Sequence, residues 1–196
     1  MRPEAEPVLV TRDITLAFDT SAAHCAAALL SGDRVTTRVE VMAKGQAERL
    51  VPMLDELLAG EGVDWPAITC LAVGVGPGNF TGIRIAVALA RGLALGLKVP
   101  AVGVTGFEAA GAGGTVSIPA PRGQFYVKRA GEAAVIADAE PAGATRLADL
   151  PVAAFVAAIA RVGRDKAAAP QPRPAPFYLR GADAAPASDP PPVILP

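Results

Sequence analysis

Histidine is almost missing from this sequence: among 196 residues there is one, His24. A Ser-His-Asp or Cys-His pair needs a positioned base, and a lone histidine beside Cys25 at the start of a predicted strand reads as a strand-end residue. Zinc sites draw on several His or Cys ligands, and one histidine with two separated cysteines, Cys25 and Cys70, does not make a usual set. The His-Glu-x-x-His arrangement is absent, and no Gly is followed five residues later by Gly-Lys, which excludes a Walker A loop. The dinucleotide fingerprint fails as well, because Gly76-x-Gly78 meets Thr81 at its third glycine position. An excess of one charge is also lacking. With 18 basic and 19 acidic residues the net charge is −1, and without clustered Lys and Arg the chain is not expected to hold nucleic acid through its own phosphate contacts.

Both cysteines sit in apolar runs, which predicts buried free thiols in a reducing cytosol, with a disulfide the alternative. No apolar stretch follows a basic segment near the N-terminus, so no signal peptide is expected. The most apolar long run, Ile83 to Leu97, is interrupted by Arg84 and Arg91 and is too short and too charged for a bilayer span. The expected location is the cytoplasm, with no membrane partner.

What the chain has is apolar content, 52% of its residues, and a length that suits one domain or two small ones. Residues 1–12 and 182–196 carry prolines and little to pack, and read as flexible termini. Ile14, Leu16 and Phe18 alternate with Thr15 and Ala17, as in a strand. Cys25 to Leu30 and Val35 to Val41 follow, joined by a Ser31-Gly32-Asp33 turn, which predicts an antiparallel meander. A helix is expected from Gly45 to Ala59, with a core stripe of Ala47, Leu50, Val51, Leu54, Leu57 and Leu58 and a kink at Pro52. Thr69 to Val75 and Val99 to Val104 are continuous apolar strands, as in a sheet covered on both faces. Between them a helix runs from Thr81 to Leu97, and Thr105 is placed to cap a short helix ending near Gly111. The order predicts a mixed α/β sheet over 13–111. A reduced subdomain over 112–181 is expected to hold short strands at 115–119, 123–128 and 133–137. It continues with a helix from Pro151 to Arg161 ended by Gly163, then an Ala/Pro linker over 167–176.

Two segments carry the chemical candidates. Gly76 to Gly82 opens the long helix, and free N–H groups at a helix start favour an anion; the same glycines equally suit a tight strand-to-helix turn. Asp19 in the first hairpin is either a carboxylate for a metal held through water or an Asx turn. Asp19, Thr20, Gly76, Gly78 and Thr81 are therefore the anion or nucleotide candidates.

These residues resemble a known family. Leu16-Ala17-Phe18-Asp19-Thr20-Ser21, Gly74 to Gly82 running into Ile83-Arg84-Ile85, Gly92-Leu93-Ala94, Val102-Gly103-Val104 and Phe177-Tyr178-Leu179-Arg180 together resemble the bacterial TsaB (YeaZ) family, most densely from Asp13 to Ala110. The resemblance implies the actin/sugar-kinase-like (ribonuclease H-like) superfold, with three antiparallel and two parallel strands and helices on both faces. It implies a non-catalytic subunit of the machinery that forms threonylcarbamoyladenosine next to the anticodon of tRNAs reading codons that begin with A. The implied partners are a TsaD-like catalytic paralogue and a TsaE-like ATPase, with a homodimer when alone and tRNA met only through the complex. It implies no cofactor of the chain's own, with ATP or ADP and a metal ion supplied by partner subunits. Two other readings stand beside it: a nucleotide-binding phosphotransfer enzyme of the same superfold, and a glycoprotease-type peptidase.

The sequence departs from the family's pattern where helix one begins, with Lys44-Gly45-Gln46 in place of a histidine. It departs again at Ala120-Pro121-Arg122-Gly123-Gln124-Phe125-Tyr126, where an acid is lost. The expected partner surface lies on two helices read as side by side. The first presents Arg49, Met53 and Glu56, with the acids Glu48 and Asp55. The second is apolar nearly all round and contributes Ile83, Arg84, Val87 and Arg91. Two such pairs would meet as a four-helix bundle about a two-fold or pseudo-two-fold axis.

Overall fold

The computed structural model describes residues 13–111 and 113–180; the expectations for residues 1–12 and 182–196 lie outside them. Strand β1 (Ile14–Asp19) pairs antiparallel with β2 (His24–Ser31), and β2 pairs antiparallel with β3 (Arg34–Val41) across a two-residue turn at Gly32-Asp33. On its other side β1 runs parallel to β4 (Cys70–Gly74), which runs parallel to β5 (Ala101–Val104). The order β3-β2-β1-β4-β5 is the three-antiparallel, two-parallel sheet that the resemblance implies.

The strand period of two divides the buried side chains between two faces. Ile14, Leu16, Phe18, Cys25, Ala27 and Leu29 point to the face covered by α1 (Gln46–Gly60) and α2 (Phe80–Leu97). Thr15 and Ala17 take the alternate β1 positions, and Ala17, Ala26, Ala28, Leu30 and Ala72 face α4 (Val152–Ala167). Cys25 lies on the first face and Cys70 on the second, so the sheet separates two buried free thiols. Burial pushes both thiols up to about 11, away from the reactive range.

Helix α1 continues through Pro52, which is exposed. Its core stripe is Leu50, Met53, Leu54, Leu57 and Leu58, spaced three and four apart. Ala47 and Val51, expected in that stripe, are exposed instead. Helix α2 is apolar apart from Thr81, Arg84 and Arg91 and buries one stripe, Ile83, Ala86, Val87 and Ala90, against the sheet. Asn79 caps it, with Oδ1 accepting from the Gly82 N–H at 2.8 Å. Thr105 caps α3 (Gly106–Ala110) as expected, in a reciprocal capping box with Glu108.

A second sheet, ordered β8-β7-β6-β9, comprises β6 (Val116–Pro119), β7 (Phe125–Lys128), β8 (Val135–Ala137) and β9 (Thr145–Arg146). The helix expected to end at Gly163 does not end there. Helix α4 runs on to Ala167, and Gly163 sits where it crosses β4: a Cβ on it would lie 2.3 Å from the Ala72 Cβ. Here glycine serves close approach of helix to sheet rather than a cap. The helix of the expected second subdomain thus packs on the first sheet. The segment read as a linker is an ordered strap. Arg91 Nε donates to the Pro174 carbonyl at 2.7 Å, and the Phe177 N–H donates to the Val75 carbonyl at 2.8 Å.

Candidate functional site

Strand β1 ends on Asp19, buried with no exposed surface. Its Oδ1 accepts from the Ser21 N–H at 2.9 Å, from Ser21 Oγ at 2.9 Å and from His24 Nε2 at 2.7 Å. The first bond closes the Asx turn, and His24 is more than a strand-end residue, because it completes a buried Asp-His pair. A carboxylate only accepts, so the shared proton resides on Nε2. Oδ2 has no hydrogen-bond partner and is pressed toward Gly74, where a Cβ would lie 1.9 Å from it.

The loop from Gly76 to Gly82 folds onto this hairpin turn. Thr20 Oγ donates to the Gly82 carbonyl at 2.7 Å, and the Asn79 N–H donates to the Ser21 carbonyl at 2.6 Å. A Cβ on Gly78 would lie 2.4 Å from the Ser21 carbonyl oxygen, and one on Gly82 would lie 1.8 Å from that of Thr20. Gly76 has φ 94° and its N-terminal neighbour Val75 is tied to Phe177. Two backbone carbonyls of the hairpin turn therefore pack directly against the loop and the first turn of α2. Of the five anion candidates, Asp19, Thr20 and Gly78 are engaged in this interlock, Gly76 packs against Ile83 and Phe177 and accepts from the Gly106 N–H, and Thr81 is exposed on the first turn of α2. Among the described residues no group of three or more His, Cys, Asp or Glu is placed to hold a metal ion.

Beside the interlock opens a cleft of about 500 Å³ between the two sheets, lined among others by Ser21, His24, Asn79, Tyr126, Leu150 and Phe155. Among the described residues no Lys, Arg, Asp or Glu lines it. Sequence reasoning missed this cleft, and the one available signal was the Asp19 and His24 pair flanking a hairpin turn.

The expected partner residues separate into two groups. Met53 and Ile83 have no exposed surface and Val87 has 3%; all three belong to the chain's own core and present nothing to a partner. An α2 that looks apolar all round in sequence spends part of its apolar surface on the sheet, and Met53 continues the buried α1 stripe. Arg49 and Glu56 lie toward β3 rather than on an outer face shared with α2. Arg49 bonds Glu40 at 2.7 Å and Glu56 at 2.8 Å, and Arg38 reaches Glu56 at 2.6 Å. The Arg49 hydrogen bonds hold both carboxyls below their ordinary value. Arg84 is exposed over the Phe80 ring at 3.9 Å, and its Nε donates to Tyr178 Oη at 3.2 Å. Exposed on α2 are Thr81, Arg84, Ala88, Arg91, Gly92, Leu95 and Gly96, with Leu95 82% accessible.

Residues 37–180 match the family model described as TsaD: tRNA N6-adenosine threonylcarbamoyltransferase. The chain is 39% identical over 90 residues to the tRNA threonylcarbamoyladenosine biosynthesis protein TsaB of Escherichia coli, covering 46% of this chain and 39% of that one. It is 38% identical over 94 residues to the protein of that name from Haemophilus influenzae, covering 48% and 40%. These matches thus span about two fifths of the length of those two relatives. An uncharacterized protein of Mycobacterium bovis is 31% identical over 172 residues, covering 76% of this chain and 82% of that one. The solved structure of YeaZ from Pseudomonas aeruginosa superposes with a TM-score of 0.70 at 25% identity, covering 85% of this chain and all of that one. With the actin-like sheet order, the Gly76 to Gly82 loop and these matches together, the chain belongs to the family that the TsaD model describes and, within it, to the TsaB (YeaZ) group.

Proposed function

We propose that the protein is a non-catalytic partner subunit in the formation of threonylcarbamoyladenosine on tRNA, working in the cytoplasm beside a TsaD-like catalytic paralogue. The observation that carries this reading is the interlock. The glycines of the loop expected to cradle an anion are used for close packing against the carbonyls of Thr20 and Ser21, which supports a structural part for the loop and leaves the chemistry to the partner. The relatives' names supply the pathway.

The partner surface in this reading is the outer face of α2, with Ala88 between Arg84 and Arg91 and Gly92, Leu95 and Gly96 beyond them. Small residues let a second helix approach closely, and an exposed leucine is buried at a profit in contact. The same face serves a homodimer when the partner is absent. ATP or ADP and a metal ion belong to the partner subunits, including a TsaE-like ATPase, and tRNA is met only in the assembled complex.

The test is reconstitution. Threonylcarbamoyl transfer to tRNA is measured with the TsaD-like protein, with and without this chain, and ATP turnover is measured with this chain alone. The reading expects transfer to need both proteins and the isolated chain to be inert. Turnover by the isolated chain that is lost in Asp19→Asn would overturn it.

A further inference from the structure

We propose that residues 1–12 dock along the open edge of β5 and add a short antiparallel strand to the first sheet, with Glu4 and Glu6 held by Arg91 and Arg173. This goes beyond the assembly role and stands independently of it. Three observations carry it.

The first is an uncovered strand edge. Strand β5 is the last of the first sheet on its side. In the parallel register Leu71 faces Ala101 and Val73 faces Gly103, and the Leu71 N–H donates to the Pro100 carbonyl. Pro100 and Val102 therefore spend backbone groups on β4, while Ala101 and Gly103 turn theirs outward. The Gly103 carbonyl is taken by Lys166 Nζ at 2.8 Å, and Pro174 of the strap lies over Gly103. Among the described residues outside the sheet, none hydrogen-bonds to Ala101. An open edge is a template for a further strand, and native proteins pair it or cover it.

The second is charge. Beside Ala101 runs a groove of about 1050 Å³, walled by Arg91 and Ala94 of α2, by Ala168 after α4, and by Arg173 and Pro174 of the strap. Among the described residues no Asp or Glu lines it, and the one bond from Arg91 goes to the Pro174 carbonyl. The opposite edge strand, β3, lies as far from β1, but its arginines are already paired: Arg34 with Glu61 at 3.0 Å and Arg38 with Glu56 at 2.6 Å. The β5 edge is thus the one that carries uncompensated positive charge, and it suits an extended acidic segment.

The third is the sequence and reach of residues 1–12. Glu4 and Glu6 stand two apart, which puts both on one side of a strand. Pro3 and Pro7 flank them and cannot donate to a ladder. Ala5 between the prolines is left to exchange both bonds with Ala101, one residue for the one open position. Thr15 faces Cys70 and Leu71 faces Ala101, so Asp13 enters β1 at the end of the sheet where β5 begins. A strand added outside β5 lies three strand spacings from β1, about 14 Å, and Val8 to Arg12 span that distance when extended. Residues 182–196 also carry acids, Asp183 and Asp189, but Arg180 leads into them beside Gln124, against the second sheet.

Amide hydrogen exchange on the full chain, read at the Ala101 N–H, tests this. The Ala101 amide should exchange about tenfold or more slowly in the full chain than in a chain lacking residues 1–12. The full-length Glu4→Lys, Glu6→Lys double variant, which alters nothing in the sheet itself, should lose the protection in the same way, and so should Arg173→Glu. Deleting 182–196 should leave it unchanged. A fast-exchanging Ala101 in the full chain, full protection in the double variant, or loss of protection on deleting 182–196 would each overturn the proposal. Leu95 on the rim of the groove also belongs to the proposed partner face, but these readouts need no partner, so failure here and failure of that reading are separable.

Discussion

Gly82 lies so close to the carbonyl oxygen of Thr20 that a Cβ on it would sit 1.8 Å away. The first turn of α2 and the first hairpin are thereby one unit, sealed by the Thr20 Oγ bond to the Gly82 carbonyl at 2.7 Å. Gly82→Ala must push these backbones apart. Overpacking of this kind costs about 1–3 kcal/mol, and urea unfolding should show it. Gly92, on the same helix, has nothing within 4 Å of its would-be Cβ, so Gly92→Ala should instead stabilise by about 0.5–1 kcal/mol. Equal effects of the two substitutions would contradict the interlock.

Gly163→Ala sets two effects against each other. Alanine is the better helix former by about 1 kcal/mol, but its Cβ would lie 2.3 Å from that of Ala72. Both groups are held by backbone, so the clash should win and the protein should unfold at lower urea. An increase in stability would show that α4 is free to shift on β4.

The link between α3 and α4 predicts a pH dependence. Burial raises the Glu108 carboxyl, but hydrogen bonds from Lys166 and from the Thr105 N–H and hydroxyl outweigh it, leaving the carboxyl below its ordinary 4.5. A depressed folded-state value gives stability that is present above the ordinary value and lost as pH falls through the folded one. Unfolding free energy should therefore drop on the acid side of 4.5, and Glu108→Gln should flatten that part of the profile. An unchanged profile in Glu108→Gln would assign the acid loss to other carboxyls.

The strands of the first sheet were legible because each is a short run of continuous or alternating apolar residues with turn residues at its ends, and the mixed sheet followed from their order; β9, the polar pair Thr145–Arg146, was not foreseen. The helix faces were less so. Met53 and Val51 are both apolar neighbours of the Leu50 and Leu54 stripe, and only packing between the sheet and α2 selects Met53 for the core. Gly163 carries the same letter as a helix cap, and its contact with Ala72 is a tertiary fact. The glycines of the Gly76 to Gly82 loop were visible, but their reason was not. It lies in carbonyls of Thr20 and Ser21, more than fifty residues earlier in the chain. His24 looked ordinary because the turn that brings it back to Asp19 leaves little trace in the sequence.

Burial also redirects the design of interface mutants. Met53→Asp would place a charge where there is no exposed surface, and it should cost about 3–5 kcal/mol by leaving that charge buried and unpaired. Loss of partner binding in that variant would report unfolding. Leu95→Glu changes a side chain that is 82% exposed, and its stability should stay within about 0.5 kcal/mol of wild type. Thermal melting separates the two.

Sedimentation of this chain mixed with the TsaD-like protein, as wild type and as Leu95→Glu, tests the central claim most directly. The account predicts one heavier species for the wild-type mixture, and separate species for Leu95→Glu at an unchanged melting temperature. Separate species in the wild-type mixture, at concentrations where both proteins are folded, would contradict it.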